Sequence, residues 1–125
     1  MKVLIVAAHP DDEVLGCGGS IAKHADKGDE VKILIAAEGA TSRQEVRDRN
    51  KANDELEKLI EAAQKSCKIL GAKGIKFLKL PDNRLDSIDR LEVIKAVEAE
   101  INDFKPESVY LHHAGDVNID HRILH

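Results

Sequence analysis

The stretch Lys2-Val3-Leu4-Ile5-Val6-Ala7-Ala8-His9-Pro10-Asp11-Asp12-Glu13 decides the fold. Its first half is an unbroken apolar run rich in β-branched residues, the pattern of a strand buried on both faces of a parallel sheet. Its second half turns polar at once, so a central strand delivers an imidazole and several carboxylates to its own C-terminal end. Working outward, a helix is expected from near Glu13 to Lys27, closed by Gly28 as its C′ residue. Gly16, Gly18 and Gly19 lie inside that helix and weaken it, which points to close packing as their reason. A phosphate-loop reading is disfavoured because they lack Gly-x-Gly-x-x-Gly spacing and come several residues after the strand.

Glu30 to Ala37 reads as a second strand, followed by a polar loop through Gly39 to Arg43. From about Glu45 to Leu70 the residues Leu56, Leu59, Ile60, Ala63, Cys67 and Leu70 recur at helical steps, and Gly71 follows. Ile75 to Leu80 is a third strand, and Pro81 to Asp86 a turn-rich loop. Ser87 or Asp89 is placed to cap a helix whose apolar stripe is Leu91, Ile94, Val97, Ile101 and Phe104, stopped by Pro106. Glu107 to His112 is a fourth strand, after which a polar loop leads to Asp120-His121-Arg122, where a further helix should be starting. Strands alternating with helices give an α/β protein with a Rossmann-like three-layer fold and a mostly parallel sheet. The whole chain, 1–125, is one domain, expected to be cut short after the second polar motif.

Composition narrows the function. With 42% hydrophobic and 34% charged residues of both signs, the chain reads as globular rather than disordered or membrane-spanning. A formal net charge of −4 argues against nucleic acid as the partner, since such binding draws on clustered Lys and Arg. The apolar run after Met1 is too short for a signal segment, and Cys17 and Cys67 lack metal-site or disulfide-framework spacing, so no targeting or transmembrane segment and a cytoplasmic location are expected. Two Phe, one Tyr and no Trp leave few stacking platforms, so ligand recognition should rest on polar groups.

In an open α/β sheet, ligands bind beyond the carboxyl ends of the strands where strand order reverses. His9, Asp11, Asp12 and Glu13 follow the first strand, and His112, His113, Asp116, Asn118, Asp120 and His121 follow the fourth, so the two groups can converge. Two imidazoles and a carboxylate, with a fourth position for water, form a known catalytic zinc set, which lowers the pKa of its water towards about 7. Plainer explanations exist for each piece. The carboxylates after His9 could serve only a helix N-terminus, and Asp120 could be an N-cap. His24, Cys67 and His125 have no context that marks a site, and the charged face from Arg47 to Lys58 reads as solvated surface.

Ala8-His9-Pro10-Asp11-Asp12-Glu13 after an N-terminal strand, with Asp120-His121-Arg122 after a later one, resembles the LmbE-like family, also called PIG-L deacetylases. Its members include N-acetylglucosaminyl-phosphatidylinositol deacetylases and the sugar deacetylases of mycothiol and bacillithiol synthesis. Glu38-Gly39 and Pro81-Asp82-Asn83-Arg84-Leu85 echo family loops more weakly. The resemblance implies a Zn(2+)-dependent hydrolase that removes an N-acetyl group from an N-acetylglucosamine-type amino sugar. It implies His9, Asp12 and His121 as zinc ligands, Asp11 as general base, and Arg43, Asp82 and Arg84 as substrate contacts. Many members carry His-Pro-Asp-His where this chain has Asn118-Ile119-Asp120-His121, so an imidazole credited with transition-state stabilisation is missing. Asn118, His113 and Asp116 are in place to substitute, with Asn118 as the oxyanion donor and His113 competing as the acid. Two rivals stay open: a metal-dependent amide hydrolase on a non-sugar substrate, and a non-catalytic Rossmann-like module binding a sugar or nucleotide. Oligomeric state, a homo-oligomer included, is left open.

Overall fold

The computed structural model describes residues 1–39, 48, 50 and 53–125. In chain order the elements are β1 (Lys2–Ala7), α1 (Asp12–Asp26), β2 (Glu30–Ala37), α2 (Asn53–Ile69), β3 (Gly74–Leu80), a 3-10 turn (Leu85–Ser87), α3 (Arg90–Phe104), β4 (Ser108–Tyr110) and α4 (Ile119–Leu124). The four strands pair in parallel in the order β3-β2-β1-β4. The chain steps outward from β1 to β3 and then returns to the other side of β1. Strand order therefore reverses between β1 and β4, the place the α/β architecture reserves for ligands.

Both faces of the sheet are covered, which is why β1 after Lys2 and β2 after Lys32 carry apolar residues without alternation. Leu4, Val6 and Leu34 point to one side and pack with Val93 and Phe104 of α3 and Leu124 of α4. Val3, Ile5, Val31, Ile33 and Ile35 point to the other and pack with Ile21 of α1 and Cys67 of α2. The expected three-layer α/β arrangement is the one observed. Among the described residues no helix is long and apolar enough to cross a membrane.

The element boundaries follow local chemistry. Gly28, at φ 86°, ends α1 as expected, its N–H bonded to Ala25 O at 3.0 Å. Gly71 (φ 80°) ends α2, and a Cβ there would lie 2.9 Å from the Cβ of Ala25. The expected beginning of α2 at 45 falls largely outside the described residues. In α3, Leu91 and Ile94 are exposed, and the buried line runs instead through Val93, Val97, Ile101 and Phe104. A 3.6-residue period permits either stripe, and contact with the sheet selects the second. Asp89 is the N-cap of α3 by position without a side-chain bond to the helix, while the Ser87 hydroxyl donates to Arg84 O.

The glycines of α1 are a correction. An added Cβ at Gly16 or Gly19 meets no atom within 4 Å among the described residues, and at Gly18 only Val14 of the same helix, at 3.9 Å. Among the described residues close packing does not account for them. Each costs helix stability through backbone entropy without a steric return. Gly16→Ala and Gly19→Ala are therefore expected to raise stability by about 0.5–1 kcal/mol each, measured by urea unfolding. A loss of stability in either variant would mean that the glycine answers to a neighbour after all.

Candidate functional site

Because β1 runs between β2 and β4, the turn after it faces the segment after β4. The chain bends sharply at His9-Pro10, where Asp11 N–H and Asp12 N–H both bond His9 O, and α1 starts at once. Glu13 is buried, and its carboxylate reaches back to the same Asp11 N–H at 3.0 Å, which is thus shared between His9 O and Glu13 at the helix start. Gly39 passes beside this turn at φ 85°, and a Cβ on it would sit 2.8 Å from Cδ of Pro10. Only glycine combines that conformation with so close an approach. This accounts for the Glu38-Gly39 echo.

On the far side Asn118 caps α4, its Oδ1 accepting from the N–H groups of Asp120 (3.0 Å) and His121 (3.3 Å). The cap is therefore Asn118 and not Asp120, and α4 begins one residue before the Asp-His pair. That start leaves the Asp120 carboxylate free to point inward. It is fully buried and accepts the backbone N–H groups of Asn83 (2.6 Å) and Leu85 (3.0 Å).

His9, Asp12 and His121 come together, offering ligand atoms within 4.8 Å of one another. His9 Nδ1 lies 3.2 Å and His121 Nε2 3.0 Å from Oδ2 of Asp12. The opposite nitrogen of each ring is held by a carboxylate: His9 Nε2 by Asp120 at 2.8 Å with Asp82 at 3.2 Å, and His121 Nδ1 by Asp116 at 2.8 Å. Carboxylates in that outer position fix the ring and the tautomer of a metal-binding histidine. His121 Nε2 is buried and makes no hydrogen bond among the described residues. A buried imidazole nitrogen that lies against a carboxylate without the geometry of a hydrogen bond, with its other nitrogen anchored, is placed as a cation ligand would be. The residues present fit a divalent metal.

Burial pulls the His9 imidazole down, but its hydrogen bonds to Asp12 and Asp120, with their charges, outweigh that and push it up to about 10. Burial raises the Asp12 carboxyl, yet the His9 contacts and the His121 charge hold it below the ordinary range. Asp116 is also depressed, first by the Asn118 N–H and then by His121.

The other sequence candidates fall in different places. Asp11 is exposed and lines a cleft of about 310 Å³ together with His9, Asp12, His121, Asn83 and Asn118. Asp82 lines it too but is almost fully buried against His9. Arg84 precedes the 3-10 turn and is not part of this lining. His113 is exposed, with Nδ1 accepting the Gly115 N–H, and also lies outside the lining. Arg43 lies outside the described residues. His112, to which the sequence reading gave no role, is central. Its ring stacks on His121 with centroids 3.7 Å apart, and its Nε2 accepts the Ala8 N–H at 2.9 Å. Burial, then the His121 charge, depress its pKa. Strand parity could not separate them, because the fourth strand ends at Tyr110 and not at His112 as expected, and both histidines lie in the segment beyond it.

The family model described as PIG-L, GlcNAc-PI de-N-acetylase, matches residues 4–125. The chain belongs to this family. A relative in Escherichia coli K12, named uncharacterized deacetylase YaiS, is 30% identical over 124 residues, 95% of this chain and 61% of the relative. A diacetylchitobiose deacetylase of Thermococcus kodakarensis is 34% identical over 102 residues, 79% of this chain and 37% of that protein. The solved N,N′-diacetylchitobiose deacetylase from Pyrococcus horikoshii superposes with a TM-score of 0.82 at 28% identity, covering 98% of this chain and 46% of that one. A 4-carboxy-2-hydroxymuconate hydratase from Pseudomonas putida KT2440 gives 0.77 at 26% identity, with 98% and 52% covered. The chain thus spans about two-fifths to three-fifths of the length of these proteins.

The electrostatics make a measurable demand. Below about pH 10 the metal-free His9 carries a proton that a cation must displace. At pH 7, isothermal titration with zinc in buffers of differing ionisation enthalpy should show about one proton released per ion, with affinity rising about tenfold per pH unit. His9→Ala and His121→Ala should each abolish the binding. Unchanged metal content in both variants would mean that these residues are not the ligands.

Proposed function

We propose that the protein is a zinc-dependent N-deacetylase acting on an amino sugar of the N-acetylglucosamine type. The observation that carries this reading is the convergence of His9, Asp12 and His121 in a cleft also lined by the exposed Asp11, with the buried His121 Nε2 3.0 Å from Asp12 Oδ2 and hydrogen-bonded to nothing among the described residues. His9, Asp12 and His121 would hold the ion, which when bound supplies Lewis acidity towards a water and towards the acetyl carbonyl. Asp11 takes a proton from that water as its oxygen attacks the carbonyl carbon. The oxyanion of the tetrahedral intermediate accepts a hydrogen bond from the Asn118 amide, whose Nδ2 has two N–H groups and gives one to Asn83. The C–N bond then breaks, and Asp11 returns its proton to the departing amine. The products are acetate and a free amino sugar. His113, outside the cleft lining, is not needed for that return.

Likeness to two diacetylchitobiose deacetylases supports the substrate class. Likeness to a hydratase keeps a second reading in play, in which the same base activates water for addition to a carbon–carbon double bond. Amine release from N-acetylglucosamine and N,N′-diacetylchitobiose, run beside hydration of an unsaturated tricarboxylate, separates the two. Deacetylation is expected. Asp11→Asn should retain zinc and lose roughly 100-fold or more in kcat, the order for a general base. Loss of zinc in that variant, or near-full turnover, would remove Asp11 from the role.

A further inference from the structure

We infer that Asn83 is a positioning residue for the oxyanion donor, pinning the plane of the Asn118 amide so that its second N–H is left to the cleft. This rests on the deacetylase reading above and on the role given there to Asn118. Capping alone leaves that amide underdetermined. The two helix N–H groups on Oδ1 fix where the oxygen sits, but the amide can still turn about that point. The bond from Asn118 Nδ2 to Asn83 Oδ1, 2.9 Å, removes the remaining freedom.

Asn83 is itself held. Its N–H donates to Asp120 Oδ2 at 2.6 Å, and its Nδ2 donates to Asp82 Oδ1 at 3.2 Å. Its backbone is left-handed at φ 51°, a conformation that asparagine tolerates better than most side chains. With the nitrogen turned to Asp82, the side-chain oxygen is the atom presented to Asn118. Both asparagines border the cleft that holds Asp11 and His121. A donor aligned before the reaction stabilises developing charge without reorganising, and misplacement by about 1 Å can cost about 100-fold.

The test is the kinetics of amine release from N,N′-diacetylchitobiose in the wild type, Asn83→Gly, Asn118→Ala and the double variant. Glycine keeps the left-handed backbone and the N–H to Asp120 but removes the amide. Asn83→Gly should lower kcat about 10- to 100-fold with little change in KM, zinc content or melting midpoint. The double variant should be no slower than Asn118→Ala, since the two act through one hydrogen bond. A substrate-independent readout is the side-chain amide signal of Asn118 in nitrogen–proton spectra, which should lose its protection from exchange in Asn83→Gly. Wild-type turnover in Asn83→Gly beside a slow Asn118→Ala overturns the positioning role alone. So does an effect confined to KM, an additive double variant, or an unchanged Asn118 signal. Wild-type turnover in Asn118→Ala overturns the donor role beneath it, and the positioning role with it.

Discussion

The carboxylate of Asp120 is the point on which the site depends. A charge with no solvent exposure is costly unless it is fully paired, and this one is paired by segments far apart in sequence. It receives the ring nitrogen of His9 from the end of β1 and two backbone N–H groups from the turn between β3 and α3, while being carried by α4. Remove any donor and the buried charge is exposed to an unmet demand. The same bonds that satisfy it therefore dock α4 onto the sheet edge and orient the first imidazole of the proposed metal triad.

Around that knot the balance of charge suits the cation proposed for the site. Asp12, Asp82, Asp116 and Asp120 surround the rings of His9 and His121, so carboxylates outnumber imidazoles. In the metal-free protein His9 compensates by holding a proton far above the usual imidazole range. A bound divalent ion would take over that work, and the outer carboxylates would then hold each ring in place for it. His112 contributes as an uncharged wedge. Its stacking on His121 and its bond to the Ala8 N–H tie the segment after β4 to the end of β1 beside His9 and Asp12.

Topology makes this convergence possible. The sheet order β3-β2-β1-β4 places the reversal between the two strands whose following segments carry the polar motifs. The helices on the two faces bury the apolar sides of β1 and β2, so the carboxyl edge of the sheet is left for chemistry. Asn118 shows how closely scaffold and chemistry share atoms: one end of its amide starts a helix and the other borders the cleft.

By itself the sequence determined the layered α/β fold, the buried strands and the two motifs that meet, because apolar periodicity and residue spacing are local properties written in order along the chain; the family came from the resemblance of those motifs. It also brought His9, Asp12 and His121 together by resemblance, and the geometry places them side by side. Only the tertiary structure decided which of two adjacent histidines enters the site, since both lie beyond the end of β4 and only His112 meets His121 and the Ala8 N–H. It likewise decided that Asn118 and not Asp120 caps α4, and that α3 turns Val93 and not Leu91 to the core. It turned Asp82 against His9 and brought Asn83 to Asn118. These choices were illegible beforehand because each depends on a partner dozens of residues away, and the energy of a buried charge or a packed side chain exists only once that partner has arrived.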